Sequence, residues 1–304
     1  MTPFQPGLVH TPVTPFDGRH AVDGSTCAKL VEFHLAQGAD ALALPMHAGE
    51  SVSLTDEEQR ELLATVLKQV RGRVPVIAHV SDSGTGISAA RARHAEDARA
   101  AAIVVTTPYY WTPPPAMLFQ HFSAVGAAVR IPFYLWHTPE EMGSSRITTE
   151  LVLKLIDARP NFAGVVDSSM DWQFQINVLS NAQRVRPDFQ LVAGNEYMIS
   201  AGANGATSLF TGLAGIAPQR VRRLYDVCRT ERYRDARPSQ EDVAALRQAI
   251  KRAGFGGLKL AMQLRGRDCG VPRPPMQAVD SAAAERLIEE FAQLRFLDDE
   301  KLGW

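Results

Sequence analysis

The sequence predicts a (β/α)8 barrel, a TIM barrel, followed by a C-terminal helical domain. Three observations predict it. Short apolar runs recur at a spacing of roughly 30 residues, the rhythm of repeated strand–helix units. The runs are apolar almost without interruption, as strands covered on both faces must be. About 75 residues remain after the eighth unit, and they read as helices.

In chain order, Leu8 to Val13 is the first strand and ends in Thr14-Pro15-Phe16-Asp17-Gly18. Asp23 can cap a helix that runs to about Gln37, with Leu30, Val31 and His34 on one face. Ala41 to Met46 is the second strand, followed by His47-Ala48-Gly49-Glu50-Ser51. Thr55, with Glu58 three residues on, is a capping box that opens a helix to about Val70. Val74 to Val80 is the third strand, and a helix follows near Gly86 to Ala100. Ala102 to Thr106 is the fourth strand and leads into Thr107-Pro108-Tyr109-Tyr110-Trp111. The Pro113-Pro114-Pro115 run starts the next helix, because proline is tolerated in a first turn. Ile131 to Trp136 is strand five and the stretch Phe162 to Ser169, an apolar run that breaks into a polar turn, is strand six, with a helix over Thr148 to Ala158 between them. Asp171 can cap the next helix; Gln190 to Ala193 and Ala206 to Phe210 are strands seven and eight. Pro218 opens a helix through about Arg229.

The barrel is expected over residues 1–230 and the helical domain over 231–304, with the charged Arg229–Pro238 stretch as the junction. The C-terminal helices are expected near Gln240–Ala253, Gly257–Arg265 and Ser281–Arg295.

Charge and cysteine content exclude some classes. Net charge is −1, with 32 basic and 33 acidic residues, so no field steers nucleic acid or an anionic membrane. Cys27, Cys228 and Cys269 are too few and too far apart for a disulfide framework or a metal-spacing motif. No run approaches a membrane span, and Met1 to Thr14 lacks the pattern of a secretory signal. A cytoplasmic location is the expectation. Lysine chemistry must come from Lys29, Lys68, Lys154, Lys251, Lys259 or Lys301.

In such barrels the chemistry gathers at the carboxyl ends of the strands. The loops there offer His47, His79, Ser81, Tyr110, Trp136, His137, Asp167, Ser168, Asn195 and Glu196. His47 and His79 suit acid–base work because imidazole titrates near neutrality. A metal held by His47, His79 and Asp167 is disfavoured, since Asp167 follows the inward position 166 and faces away. No metal and no cofactor are expected.

The chain resembles the dihydrodipicolinate synthase / N-acetylneuraminate lyase family. The resemblance rests on Thr14-Pro15-Phe16-Asp17-Gly18, on Gly49-Glu50 followed by Ser53-Leu54-Thr55, and on Pro108-Tyr109-Tyr110. Leu258-Lys259 and Val271-Pro272-Arg273-Pro274-Pro275 extend it into the helical region. It implies a homotetramer built as a dimer of dimers and a small-molecule ligand. It also implies a lysine at the end of strand six that forms a Schiff base with a 2-oxo acid, and a strand-five tyrosine that relays protons. An arginine after strand five, in the synthases, and a hydroxyl pair after strand two complete the set.

This chain departs from that set at every position. Val166 stands at the lysine, Trp136 at the tyrosine and Glu141 at the arginine. His47 and Ala48 stand at the hydroxyl pair, and His79 at a small residue of strand three. Valine has no amine, so no imine with pyruvate is expected. The candidate catalytic residues are therefore His47, Tyr110 and His79, and the candidate ligand contacts are Trp136, Glu141, Ser168, Asn195 and Glu196. Glu141 reverses the sign of the synthases' carboxylate clamp and argues for a neutral or cationic ligand. Two classes stay open: a lyase- or hydratase-type enzyme working without an imine, and a non-catalytic ligand-binding or scaffold member.

Overall fold

The structure, a computed structural model, describes residues 4–139 and 145–304. Eight strands close in chain order into a barrel. They are β1 (Leu8–His10), β2 (Ala41–Leu44), β3 (Val76–His79), β4 (Ala102–Thr106), β5 (Phe133–His137), β6 (Phe162–Asp167), β7 (Gln190–Ala193) and β8 (Ser208–Thr211). β1 pairs with β2 in parallel, and β3 to β8 pair in succession, also in parallel. Trp136 is register partner to Val166, and Val166 to Val192. Every residue of β4 and β5 is buried, which is why these strands read as unbroken apolar runs.

The expected caps form. Asp23 accepts from the Ser25 and Thr26 amides at the start of α1 (Gly24–Ala36). Thr55 accepts from the Glu58 amide at 3.2 Å, while Glu58 accepts from the Thr55 amide at 2.9 Å, closing the capping box of α2 (Asp56–Val70). Then come α3 (Thr85–Asp97), α4 (Pro115–Ala127), α5 (Thr149–Ala158), α6 (Trp172–Val185), α7 (Met198–Ala203) and α8 (Pro218–Arg229). Thr148 and Asp171 cap α5 and α6 with their side chains.

The chain groups into two compact units. One holds residues 1–7 and 75–210; the other holds 8–74 and 211–304. α8 packs on α9 (Tyr233–Arg252) within the second unit. The helix expected from Gln240 begins at Tyr233 and runs through Pro238. Proline removes the bond to the Arg234 carbonyl, and both residues lie on the exposed side of the helix. α10 (Gly257–Leu264) and α11 (Ser281–Gln293) complete the C-terminal part.

In the second unit, Arg267 is fully buried yet meets no carboxylate among its hydrogen-bond partners. It donates to the carbonyls of Gly215, Lys301 and Gly303 at 3.0, 3.0 and 2.6 Å and lies over the Phe33 ring. A guanidinium spreads its charge over a rigid fork of donors, so carbonyl dipoles can hold it. Burial still pulls its pKa down to about 10.

In the same unit, His10 and His34 are buried with their Nδ1 atoms 3.0 Å apart. One must donate and the other accept, so the two rings cannot both be charged. Burial pulls the His10 pKa from 6.5 down to about 3 and drives His34 the same way. A lowered imidazole pKa means that the unfolded chain binds more protons between these values. Stability is therefore intact above about pH 6.5 and falls as the pH drops toward about 3, by about 1.4 kcal/mol per pH unit for His10 alone. Urea titrations at several pH values should show this slope, and His10→Asn should flatten it.

Candidate active site

The carboxyl ends of β3 to β7 lie in one unit and build a connected set of side chains. Val166 is fully buried, on β6 beside Trp136. The Trp136 indole N–H donates to the Ser168 hydroxyl at 3.0 Å, and that hydroxyl donates to the Gly194 carbonyl at 3.0 Å. Thr106 Oγ1 donates to the Trp136 carbonyl at 3.0 Å. The indole is thus held through Ser168 and Gly194, and the Trp136 backbone through Thr106. The indole ring meets the His79 imidazole nearly at right angles, with centroids 5.6 Å apart. His79 is 4% exposed, and its Nε2 lies 2.7 Å from the Ser81 hydroxyl. Asn195, buried, donates to the Ser168 carbonyl at 3.2 Å and accepts from the Tyr197 amide. Glu196 is buried too.

So His79, Trp136, Ser168 and Asn195 come together. The Ser168 proton, however, is spent on Gly194, so toward a ligand Ser168 acts mainly through the indole that it holds. Tyr110 is apart from this set. It is 87% exposed, at φ +72°, with its ring edge-on to Trp111 at 5.0 Å. Glu141 lies outside the described residues.

Gly194 leaves no space for a side chain. A Cβ there would strike the Ser168 hydroxyl and stand 2.9 Å from the Asp167 carbonyl oxygen. Gly194→Ala should cost about 1–3 kcal/mol through overpacking and release the indole. Urea unfolding and tryptophan emission would report the two effects.

Asp167 faces the helix layer, as its place after Val166 predicts. Its carboxylate meets His137 Nδ1 at 2.8 Å and accepts from the Ser169 hydroxyl at 2.8 Å and the Gln175 amide at 2.7 Å. Among the described residues, no group of three or more histidines, cysteines or carboxylates is placed to hold a metal.

The other unit carries His47 and Glu50. His47 is exposed, edge-on to the 75% exposed Phe255 ring at 6.5 Å. Phe255 also lines an open groove of about 520 Å³ with Pro275, Met276 and Val279. Glu50 is buried against the Lys259 amine at 2.7 Å. Lys259 also donates to the Val271 carbonyl at 3.2 Å and sits 4.1 Å from the Phe16 ring centre. Burial lowers the Lys259 pKa, and Glu50 opposes that shift. This lysine stands on α10 and braces the loop after β2; it is not a strand-end amine. Lys154 pairs with Glu150 on the exposed face of α5.

The set that was hardest to read from the sequence is Ser81 with Thr106. Their role follows from the two-residue alternation, which puts 79 and 81 on one side of the chain. The Thr106 amide donates to the Ser81 hydroxyl at 2.8 Å.

Comparison with known proteins gives one consistent result. The profile of the dihydrodipicolinate synthetase family matches residues 5–293. An uncharacterised DapA-like lyase of Halobacterium salinarum is 32% identical over 294 residues, covering 96% of this chain and 94% of the relative. The 4-hydroxy-tetrahydrodipicolinate synthase of Bacillus subtilis is 29% identical over 268 residues, covering 87% of this chain and 90% of the relative. Among solved structures, the dihydrodipicolinate synthase of Aquifex aeolicus superposes with a TM-score of 0.90 at 23% identity, covering 96% of this chain and 99% of that one. That last likeness concerns the fold alone.

Proposed function

The chain belongs to the dihydrodipicolinate synthetase family, and we propose that it is a lyase- or hydratase-type enzyme that works on a small polar metabolite without a pyruvate Schiff base. The observation that carries this reading is Val166, buried at the end of β6 where the family resemblance puts the imine-forming lysine. The buried lysine elsewhere, Lys259, is committed to Glu50. An imine serves such a reaction as an electron sink. Without it, negative charge developing on the substrate must be met by hydrogen-bond donors. Proton transfer falls to side chains that titrate or carry a hydroxyl, for which His47, His79 and Tyr110 are the candidates.

Trp136, Glu141, Asn195 and Glu196 are proposed as ligand contacts, with Ser168 supporting the indole. The indole offers a flat apolar face to a planar ligand. The reading also takes the protein as cytoplasmic, as a homotetramer made of two dimers, and as inactive in dihydrodipicolinate synthesis.

A non-catalytic, ligand-binding member is the second reading. The pinned Trp136 favours it, because an indole tied to Ser168 packs volume rather than moving protons.

A thermal-shift screen against 2-oxo acids, sugar acids and amines, followed by turnover assays on the hits, tests the pair. Turnover that His47→Ala or His79→Gln lowers by about 10²-fold or more supports the enzyme. Binding of a ligand with no turnover overturns it in favour of the second reading.

A further inference from the structure

Behind the contact between the Trp136 indole and the Ser168 hydroxyl, a second contact joins the same two strands. His137 follows Trp136, Asp167 precedes Ser168, and the two are register partners at the ends of β5 and β6. Their side chains meet on the helix-layer side, Nδ1 to Oδ1, at 2.8 Å. Both residues are buried. A buried carboxylate needs donors, and Asp167 has three side chains to supply them. One is His137. Another is the Ser169 hydroxyl at 2.8 Å, whose oxygen in turn accepts from the Asp171 amide. The third is the Gln175 amide group of α6 at 2.7 Å, whose oxygen accepts from Asn204. The backbone ties in as well. The Ser168 amide donates to the His137 carbonyl and the Gly194 amide to the Asp167 carbonyl, both at 2.8 Å. His137 Nε2 is buried and, among the described residues, meets no hydrogen-bond partner. This ring is held by one nitrogen alone.

We propose that His137 and Asp167 are positioning residues for Trp136: their contact fixes the ends of β5 and β6 so that the Ser168 hydroxyl stays where it accepts from the indole. This assignment rests on the reading of Trp136 as a ligand contact. Successive strand residues point to opposite faces. The pair therefore grips the two strand ends from one side while the indole–hydroxyl bond spans them on the other. A slip of β5 against β6 breaks both contacts at once. A hydrogen bond to a carboxylate is stronger than one between neutral groups, so the outward contact is the firmer tie and sets the register that the inward one needs. A carboxylate can only accept, so His137 Nδ1 carries a proton. With Nε2 unused, the task calls for one donor on a short side chain and not for an imidazole as such. An asparagine amide can supply that donor.

The test is ¹H–¹⁵N spectroscopy of the whole protein, with the Trp136 indole signal assigned by its loss in Trp136→Phe. His137→Leu, which removes the donor, should shift that signal away from its wild-type position. His137→Asn, which returns a donor to Asp167, should bring it back. Val178→Ala, which opens a cavity at a fully buried position of α6, should lower stability in urea and leave the signal in place. That variant separates positioning from general loosening of the fold. The proposal is overturned by a signal that His137→Leu leaves unmoved, by one that His137→Asn does not bring back, or by one that Val178→Ala moves as far. If His137→Leu does not fold, the wild type decides, labelled with ¹⁵N-histidine. The His137 signals, assigned by their loss in His137→Asn, should then show Nδ1 as a protonated nitrogen; an unprotonated Nδ1 overturns the proposal. None of these measurements needs a ligand. The reading of Trp136 as a ligand contact fails separately, when Trp136→Phe binds a hit of the thermal-shift screen as tightly as the wild type does.

Discussion

Lys259→Met should destabilise the protein by about 3–5 kcal/mol, measured by urea unfolding, because it leaves the Glu50 carboxylate buried without its cation. The two side chains are almost wholly covered, and their 2.7 Å contact is not screened as a surface pair would be. Glu50 has a further task. Its second oxygen accepts from the Arg273 amide at 2.8 Å, and Arg273 in turn grips Glu58 through two contacts of 2.7 Å. Phe16 lies under both cations, 4.1 Å from the Lys259 nitrogen and 4.5 Å from the Arg273 guanidinium. Removing the amine therefore loosens the loop after β2, the Phe16 turn and the Arg273 segment together. Glu50→Leu combined with Lys259→Met should lose less than Lys259→Met alone, since replacing both partners removes the orphaned charge. A double variant less stable than either single one would contradict this account.

That pair also marks where sequence reading stops. Caps were legible because they are local: Thr55 with Glu58, Thr148 and Asp171 each satisfy amides within the same turn. Strand ends were legible because a covered parallel strand is apolar throughout, and alternation then tells Val166 from Asp167. The partnerships between distant side chains were not. Nothing local links Glu50 to Lys259, His10 to His34, or the indole of Trp136 to Ser168. These contacts exist only once the elements have packed. α7 went unread for another reason: it has six residues and no side-chain cap. Pro238 hid the first turns of α9, because a proline in mid-helix is tolerated only where the carbonyl it orphans can reach water.

Wild-type protein incubated with pyruvate and borohydride should keep its intact mass, and so should Val166→Lys. The first result follows from chemistry: valine has no amine. The second follows from packing. Val166 is fully buried and is the register partner of Trp136, whose indole reaches to Ser168, just past the end of β6. A lysine at 166 would have to fit into the fully buried space that valine fills, and its ammonium would bear the cost of burial. Val166→Lys alone should therefore fold less stably than the wild type and form no adduct. Exchanging the indole for the smaller phenol frees volume and supplies a hydroxyl where the family resemblance puts the proton relay. Val166→Lys with Trp136→Tyr is thus the smallest change expected to gain the mass of a reduced pyruvate adduct. An adduct on the wild type would refute the imine-free reading outright. An adduct on Val166→Lys alone would show instead that the indole yields, and that the hold of Ser168 and Gly194 on Trp136 is weaker than its hydrogen bonds imply.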